Sequence, residues 1–418
     1  MGIHDDPMGI NVENIKTLTS FEQCAEALRN PNMRSSLHDE GALLLERVVL
    51  SLYGSEHRNR RNAESKIFRR DFFHHYEREV LPRTLEQTLA PFVDRGKCNL
   101  VDLGYHIMVN TTADFTGIDR PERSSEETRH LIALLRTLVR ATTLGQCNVA
   151  DKGPIKAEIQ TAIEEFDERF FAPSIERRQR LFEEVEREEK NEDDLPRDIL
   201  TVLLEAEEKL DLTRYDFLRE AAFFSLAGAV TSIHSLTHTL HDIFEWIDEH
   251  PEDSQRLRTD PFFLQLCVHE SLRLNPSSPI AKRRPLKPTH VKSVGDVAET
   301  DELIIDLRAA NRNQSVFGDD AEQFNPYREI PKSLHPYGLS MGMGAHACLG
   351  RNLAVGVVPK KGADPATHHY GTVPVILAEL LKCGIRPDPD DSPSKDETIA
   401  RYIWDYYPVV FAPERALL

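Results

Sequence analysis

Apolar positions along this chain recur mostly three or four residues apart, as in helices, and seldom alternate as strands require. Residues 20–30 open on Ser20, space their apolar side chains helically and stop before Pro31, which predicts a capped amphipathic helix. Residues 64–80 predict a charged, aromatic-rich helix ended by Pro82. Residues 198–206, 213–251 and 260–274 read as helices by the same tests. The arginine- and glutamate-rich run 164–190 matches a solvated helix laced with i,i+4 charge pairs. Strand signals are few, with 302–306 and Pro408–Phe411 the clearest. Proline punctuation gathers late, at 276–288, 359–374 and 387–393. No Gly/Ser linker or repeat divides the chain, so the pattern predicts one domain over residues 1–418, mainly α with small β-sheets (α+β).

Charge narrows the field. The chain carries 51 Lys+Arg against 69 Asp+Glu, a balance of 51 − 69 = −18, which argues against a nucleic-acid partner. Its longest apolar stretch, 221–230, is about half of what a bilayer span requires. The N-terminus has neither a basic n-region nor an apolar h-region, and Asp6 stands where a myristoylation signal wants Ser or Thr. These features predict a soluble, cytoplasmic protein with no membrane attachment. The six cysteines are scattered without a C-x-x-C pair and read as reduced thiols, five of them as small buried hydrophobes.

The sixth, Cys348, concentrates the chemistry. Gly342, Gly344 and Gly350 bracket it, and Arg351 begins what reads as a helix. Glycines allow φ > 0 and close backbone approach, so this loop can fold tightly around something flat. A sulfur just ahead of a helix N-terminus meets unpaired N–H groups and the positive dipole end, an arrangement that favours thiolate over thiol. The segment by itself also reads as a plain turn with an incidental buried cysteine.

Several segments, in one order along the chain, resemble the cytochrome P450 family. Gly344, His346, Cys348 and Gly350 fall in register on its haem loop, Phe-x-x-Gly-x-His/Arg-x-Cys-x-Gly. Glu270 and Arg273 fit its Glu-x-x-Arg pair, whose i,i+3 spacing puts both side chains on one helix face. Ala310-Asn311-Arg312 and Asn325-Pro326-Tyr327-Arg328 fit its meander, with Arg328 the arginine onto which that pair would lock. His57 and Arg61 match its propionate-binding residues; His346 and Arg283 would add to them, with adjacent Arg284 the competitor of Arg283. Ala227, Gly228 and Thr231 match the oxygen-binding segment of its long helix, where Gly228 would open the helix and Thr231 donate a hydrogen bond.

The resemblance implies haem b with Cys348 as iron ligand, the sulfur pushing electron density toward the oxygen site. It implies a monomeric monooxygenase of secondary metabolism or catabolism, acting on a small apolar substrate and fed by a ferredoxin and its reductase. The pocket walls carry over as regions: 35–49, 224–231, 277–281 and the late turn 405–407.

Four features depart from the family's pattern. Val230 stands where an acid beside the threonine relays protons, and His234, one turn on and ordinarily near-neutral in pKa, is the candidate substitute. Met341 replaces an aromatic behind the haem loop. A polar insertion, about 359–374, interrupts the helix after Cys348, with Pro359 ending that helix and a new one resuming near Val375. Lys360, Lys361, His368 and His369 would there reshape the surface that receives an electron donor. The short run before residue 20 also suggests that part of the N-terminal strand-and-helix layer is missing. An alternative follows, a peroxide-using or atypical enzyme that couples or rearranges its substrate. Two further readings are a zinc hydrolase on His234, His238 and His241 and a non-catalytic haem sensor.

Overall fold

In the computed structural model, described for residue 12 and residues 14–412, helices dominate and small sheets fringe them, as the apolar periodicity predicts. The readings made on residues 1–11, secretion and lipidation among them, lie outside the described residues. No helix among the described residues is long and apolar enough to cross a membrane.

The helices that position the site are, in chain order, α1 (Phe21–Arg29), α2 (Gly54–Glu64), α3 (Leu100–Thr116), α4 (Arg214–Glu249), α5 (Pro261–Leu274), α6 (Arg351–Val355) and α7 (Thr372–Lys382). Their ends follow the chain's own signals. Ser20 caps α1 by accepting from the Gln23 N–H at 3.3 Å. Thr213 and Asp216 form a reciprocal capping box at the start of α4, and Pro251 follows its end. Asp260 caps α5, with Pro261 in its first turn.

Proline behaves unexpectedly twice. Pro82 was expected to end a helix, but the chain runs Arg70–His75, a π-turn Tyr76–Val80, then Leu81–Arg95. The run predicted over 164–190 is likewise Gly153–Phe166, a π-turn Asp167–Phe171, then Ala172–Glu186, with Pro173 just past the turn. In both, a wide turn directly precedes a residue that has no N–H and whose ring would strike the carbonyl four residues back.

One sheet matters to the site. Strands β1 (Asn14–Leu18), β2 (Met33–Ser35), β3 (Ile280–Pro285) and β4 (Asp301–Asp306) lie in the order β1-β4-β3-β2, with β1 and β4 parallel and the other pairs antiparallel. Ser35 pairs with Arg283 and Arg34 with Arg284, so the two arginines point to opposite faces. A small apolar cluster fills the space between this sheet and α1, including Leu18, Phe21, Leu28, Leu303 and Ile305. The larger core lies among the helices, where α4 packs on α3 and α5.

Candidate functional site

The loop 341–350 turns through the left-handed region at Gly342 (φ 67°) and Gly344 (φ 68°). Gly344 also lies against α1, where a Cβ would come within 3.0 Å of the Arg29 Cα. The Cys348 N–H donates to the Met341 carbonyl at 2.8 Å and closes the loop, while Met341 packs on the main core. Cys348 keeps exposed surface although protein surrounds it, so its sulfur borders a space inside the molecule. Burial pushes this thiol up, outweighing the N–H groups of Gly350 and Arg351 and the guanidiniums of Arg61 and Arg351. The expected thiolate preference is therefore reversed in the bare chain; a bound metal cation would draw off the proton.

Beside the loop sits a basic cluster with no ion-paired carboxylate in it; the buried Glu64, three residues beyond Arg61, feels its charge without pairing with it. His57 is 2% exposed and its ring lies 4.2 Å from that of His346. Arg61, one turn along α2, donates to the Ala347 carbonyl next to the cysteine. Arg283 is buried, and its guanidinium donates to the Lys282 carbonyl at 3.0 Å. Burial lowers all four: His57 falls to about 4, helped by Arg61 and Arg58, and His346 to about 3, helped by His57, Arg283 and Arg61. Arg283 falls to about 10 by burial alone, and Arg61 is also lowered. Among the described residues none of the four forms an ion pair with a carboxylate. Buried cations without anions are costly, and two adjacent carboxylates are what such a cluster fits. Together with the sulfur, the donor set fits haem. Arg284, by contrast, already pairs with Glu302 at 3.1 Å.

Support for the loop comes from α5. Arg273 grips the Glu270 carboxylate twice, at 2.8 and 2.7 Å, and donates to the Asn311 and Ala321 carbonyls at 2.6 and 2.7 Å. Arg328 reaches Glu270 at 2.9 Å and also meets Asp320, so Glu270, Arg273 and Arg328 come together as one buried network. Asn311 carries it to the loop by accepting from the Leu339 N–H at 2.7 Å and donating to Ser340 at 2.8 Å.

On α4, Thr231 is exposed although Ala229 and Ser232 beside it are buried, so it too borders interior space. Its hydroxyl donates to the Ala227 carbonyl at 2.7 Å, and the helix continues unbroken across Ala227–Thr231 instead of opening at Gly228. What demands a glycine at 228 is packing, since a Cβ there would lie 2.9 Å from the Thr112 methyl. His234 is buried with Nε2 on the Asn275 carbonyl at 3.2 Å and Nδ1 without a partner. Burial, with Arg401 adding, pushes it down to about 4 rather than leaving it near neutrality. His238 bonds the Tyr402 carbonyl and His241 the Tyr407 hydroxyl, both at 3.1 Å. These separate partners overturn the zinc reading, and no group of three metal-ligating side chains occurs among the described residues.

One expectation shifts position. The insertion spans 356–371 rather than 359–374: α6 stops at Gly356 (φ 74°) and α7 restarts after Gly371 (φ 91°). Lys360 and Lys361 are exposed, but His369 is buried between the Asn352 carbonyl and Glu77, and His368 reaches Gln265 at 3.0 Å. A late segment, Ala400-Arg401-Tyr402, borders a small cavity beside His234, while in the expected wall 405–407 Tyr407 is buried against His241. Sequence reasoning missed Arg401 and a buried trio, Arg60, Glu64 and Glu220. Only Glu220 gave a signal, an acid inside the apolar run that begins at Phe217.

Comparison with known proteins gives the family and the fold. The family model described as "Cytochrome P450" matches residues 83–356. The "Biotin biosynthesis cytochrome P450" of Bacillus subtilis (strain 168) is 28% identical over 158 residues, 38% of this chain and 37% of that protein. The match thus spans little more than a third of that relative's length. The "Putative cytochrome P450 YjiB" of the same organism is 22% identical over 353 residues, covering 84% of this chain and 81% of the relative. Among solved structures, CalO2 superposes with a TM-score of 0.71 at 18% identity, over 98% of this chain and 93% of its own.

Proposed function

Because this chain belongs to the cytochrome P450 family of haem-thiolate monooxygenases, we propose that Cys348 would supply the thiolate that holds the iron of a haem b and that the protein oxidises a small, largely apolar substrate. The observation that carries this reading is the accessible Cys348 sulfur beside a buried basic cluster that has no ion-paired carboxylate. In it, His57, Arg61, His346 and Arg283 would hold the two propionates, and the turns at Gly344 and Gly350 would let the loop approach the cofactor closely. Bound haem supplies the oxygen activation and the electron transfer. The chain's own residues then bind, orient and exclude water. Ala227, Gly228 and Thr231 would form a wall of the reaction chamber, with the Thr231 hydroxyl as its proton-bearing group. Glu270, Arg273 and Arg328 act at a distance, by fixing the meander that leads into the cysteine loop. Electrons would come from a ferredoxin and its reductase.

His234 is the titratable group one turn beyond Thr231. Its Nε2–H is given to the Asn275 carbonyl and its ring stays neutral, so it would serve as a hydrogen-bond acceptor at Nδ1 rather than as a store of protons. Loading a proton at neutral pH would cost about 4 kcal/mol at 1.4 kcal/mol per unit. That penalty, and Val230 in place of an acid, favour a second reading in which peroxide supports turnover directly.

Reduction under carbon monoxide tests the main reading: the red-shifted Soret band of a thiolate-ligated complex should appear and should vanish in Cys348→His. A band characteristic of a nitrogen ligand in fresh wild-type protein would refute it. Turnover driven by hydrogen peroxide, compared with turnover driven by ferredoxin and reductase, separates the two readings. If His234→Ala leaves both turnover and peroxide leakage unchanged, His234 has no part in proton delivery.

A further inference from the structure

Around Arg401 lies a second set of basic side chains that the haem cluster does not use. A cavity of about 50 Å³ is lined by Leu274, Pro276 and Pro279 together with Arg308 and Arg401. His234 and Ser277 also border it, and no carboxylate does. The Ser277 hydroxyl donates to the Thr231 carbonyl at 3.2 Å, so the cavity adjoins the exposed threonine of α4.

Arg401 is held in place rather than left loose. Its Nε donates to the Gln146 side chain at 2.9 Å and its Nη1 to the Ser277 carbonyl at 3.4 Å. Backbone ties fix the strand of chain that carries it: Ala400 N–H to the Gln146 carbonyl at 3.1 Å, and Asn148 N–H to the Thr398 carbonyl at 3.3 Å. Its Nη2, however, is shut away from solvent with no hydrogen-bond partner. Among the described residues neither Arg401 nor Arg308 forms an ion pair with a carboxylate. Burial alone brings Arg401 down to about 10, so the guanidinium remains charged at neutral pH. A charge desolvated in this way without a carboxylate against it is costly and is compensated by an anion placed there.

We propose that Arg401, with Arg308 beside it, receives the carboxylate of the substrate, so that this chain acts on carboxylic acids with an apolar body rather than on neutral hydrocarbons. The proposal rests on the monooxygenase reading above. A haem propionate is the other source of a carboxylate. His234 feels the charge of Arg401 and His346 that of His57, Arg61 and Arg283, while His38 feels both Arg401 and Arg283 and so lies between the two basic sets; the haem content of the Arg401 variants decides between the two carboxylates. The planar fork of a guanidinium suits a carboxylate, and the Leu274, Pro276 and Pro279 wall suits the chain or ring attached to it.

The test uses haem-loaded protein and matched acid and ester probes: decanoic acid with methyl decanoate, and phenylbutyric acid with its methyl ester. Calorimetric titration of wild type, Arg401→Gln and Arg401→Lys gives the affinities, and haem content with the thiolate–carbon monoxide band is measured for each. Wild type should bind at least one acid about 10- to 100-fold tighter than its ester, the range for hydrogen bonds to a charged group. Arg401→Gln should abolish that preference while leaving ester affinity and haem content unchanged, and Arg401→Lys should keep part of it. No acid preference in either pair, or a preference that survives Arg401→Gln, overturns the proposal. Loss of haem from Arg401→Gln overturns it too, by making Arg401 a propionate partner. Absence of the thiolate band from wild type would instead refute the monooxygenase reading, and the proposal would fall with it.

Discussion

Replacing Glu64 with Gln should remove a pH dependence that the wild-type fold carries in its core. Glu64 ends α2 and Glu220 lies on α4; both are fully buried, and Arg60 is the cation between them. Glu220 accepts from Arg60 and from the Val49 N–H at 3.0 Å, whereas Glu64 has no cation of its own and its carboxyl faces that of Glu220, to which it can donate only when protonated. Two carboxylates against one guanidinium would leave a net negative charge in the interior. Burial, and for Glu64 the charge of Glu220, therefore raise both carboxyls, and the pair retains a proton. In the unfolded chain the same carboxyl titrates near 4.5. Above that pH the folded state binds more protons than the unfolded state, so the stability this proton confers is complete below 4.5 and is lost as pH rises through the folded pKa. The slope is at most about 1.4 kcal/mol per pH unit, or roughly 3 kcal/mol between about pH 5 and pH 7. Against a total of about 5–15 kcal/mol, that is readily measured. Glutamine keeps a donor for Glu220 and cannot ionise. Urea unfolding of the haem-loaded wild type and E64Q across this pH range should give midpoints that converge at the acid end and diverge toward neutrality, with E64Q the more stable. Parallel profiles would show that the pair does not retain a proton.

Three further outcomes follow from the same geometry. Arg328→Met strips Glu270 of one cation and leaves the Phe317, Asp320 and Gln323 carbonyls short of a donor, so it should cost about 3–5 kcal/mol in urea unfolding; a loss below 1 kcal/mol would refute the network. Gly228→Ala should destabilise by about 1–3 kcal/mol through overpacking against Thr112, and adding Thr112→Ser should restore most of it, whereas a helix that needs Gly228 only for an opening would gain nothing from the second change. Arg283→Gln should weaken haem retention without lowering the stability of the haem-free chain, while Arg284→Gln should do the reverse by exposing Glu302, as competition for haem and thermal unfolding would report.

Much of this site was legible because its chemistry is local. Gly342, Gly344, Cys348 and Gly350 sit within ten residues, and the turn they demand is a property of the chain itself. The choice between Arg283 and Arg284 was not legible, because it depends on which face of β3 meets Glu302, a residue that only the sheet brings near. Arg401 was hidden for the same reason: its isolation from acids is a fact about packing, invisible in a segment that holds Asp396, Glu397 and Asp405 close by in sequence. The π-turns before Pro82 and Pro173 show the limit of proline as a stop signal, since a wide turn lets the helix pass.

The insertion shows how far a locally correct reading can still mistake a role. A polar, proline-bearing stretch after the cysteine helix reads as a surface cover, and its lysines are indeed exposed. Yet a helix as short as α6, which begins three residues after Cys348, leaves most of its last carbonyls without intrahelical donors, only Asn352 accepting from the Gly356 N–H at 2.9 Å. The rejoined chain and α5 satisfy them. Thr372 donates to Leu353 at 2.7 Å, His369 meets Asn352 at 2.8 Å, and Gln265 and His269 both bond Val355 at 2.9 Å. Glu77 then pins the returning chain by accepting from the Tyr370 and Gly371 N–H groups at 3.0 and 2.9 Å. The two ends meet so closely that a Cβ on Gly371 would lie 2.3 Å from the Gly356 nitrogen, so the outer loop projects from a closed neck. The neck, 368–372, holds the end of the helix that follows the cysteine loop, whereas residues 360–367 lie outside it. Length changes confined to 360–367 should therefore leave haem binding intact, while any change that opens the neck frees the α6 carbonyls and loosens the helix that follows Cys348.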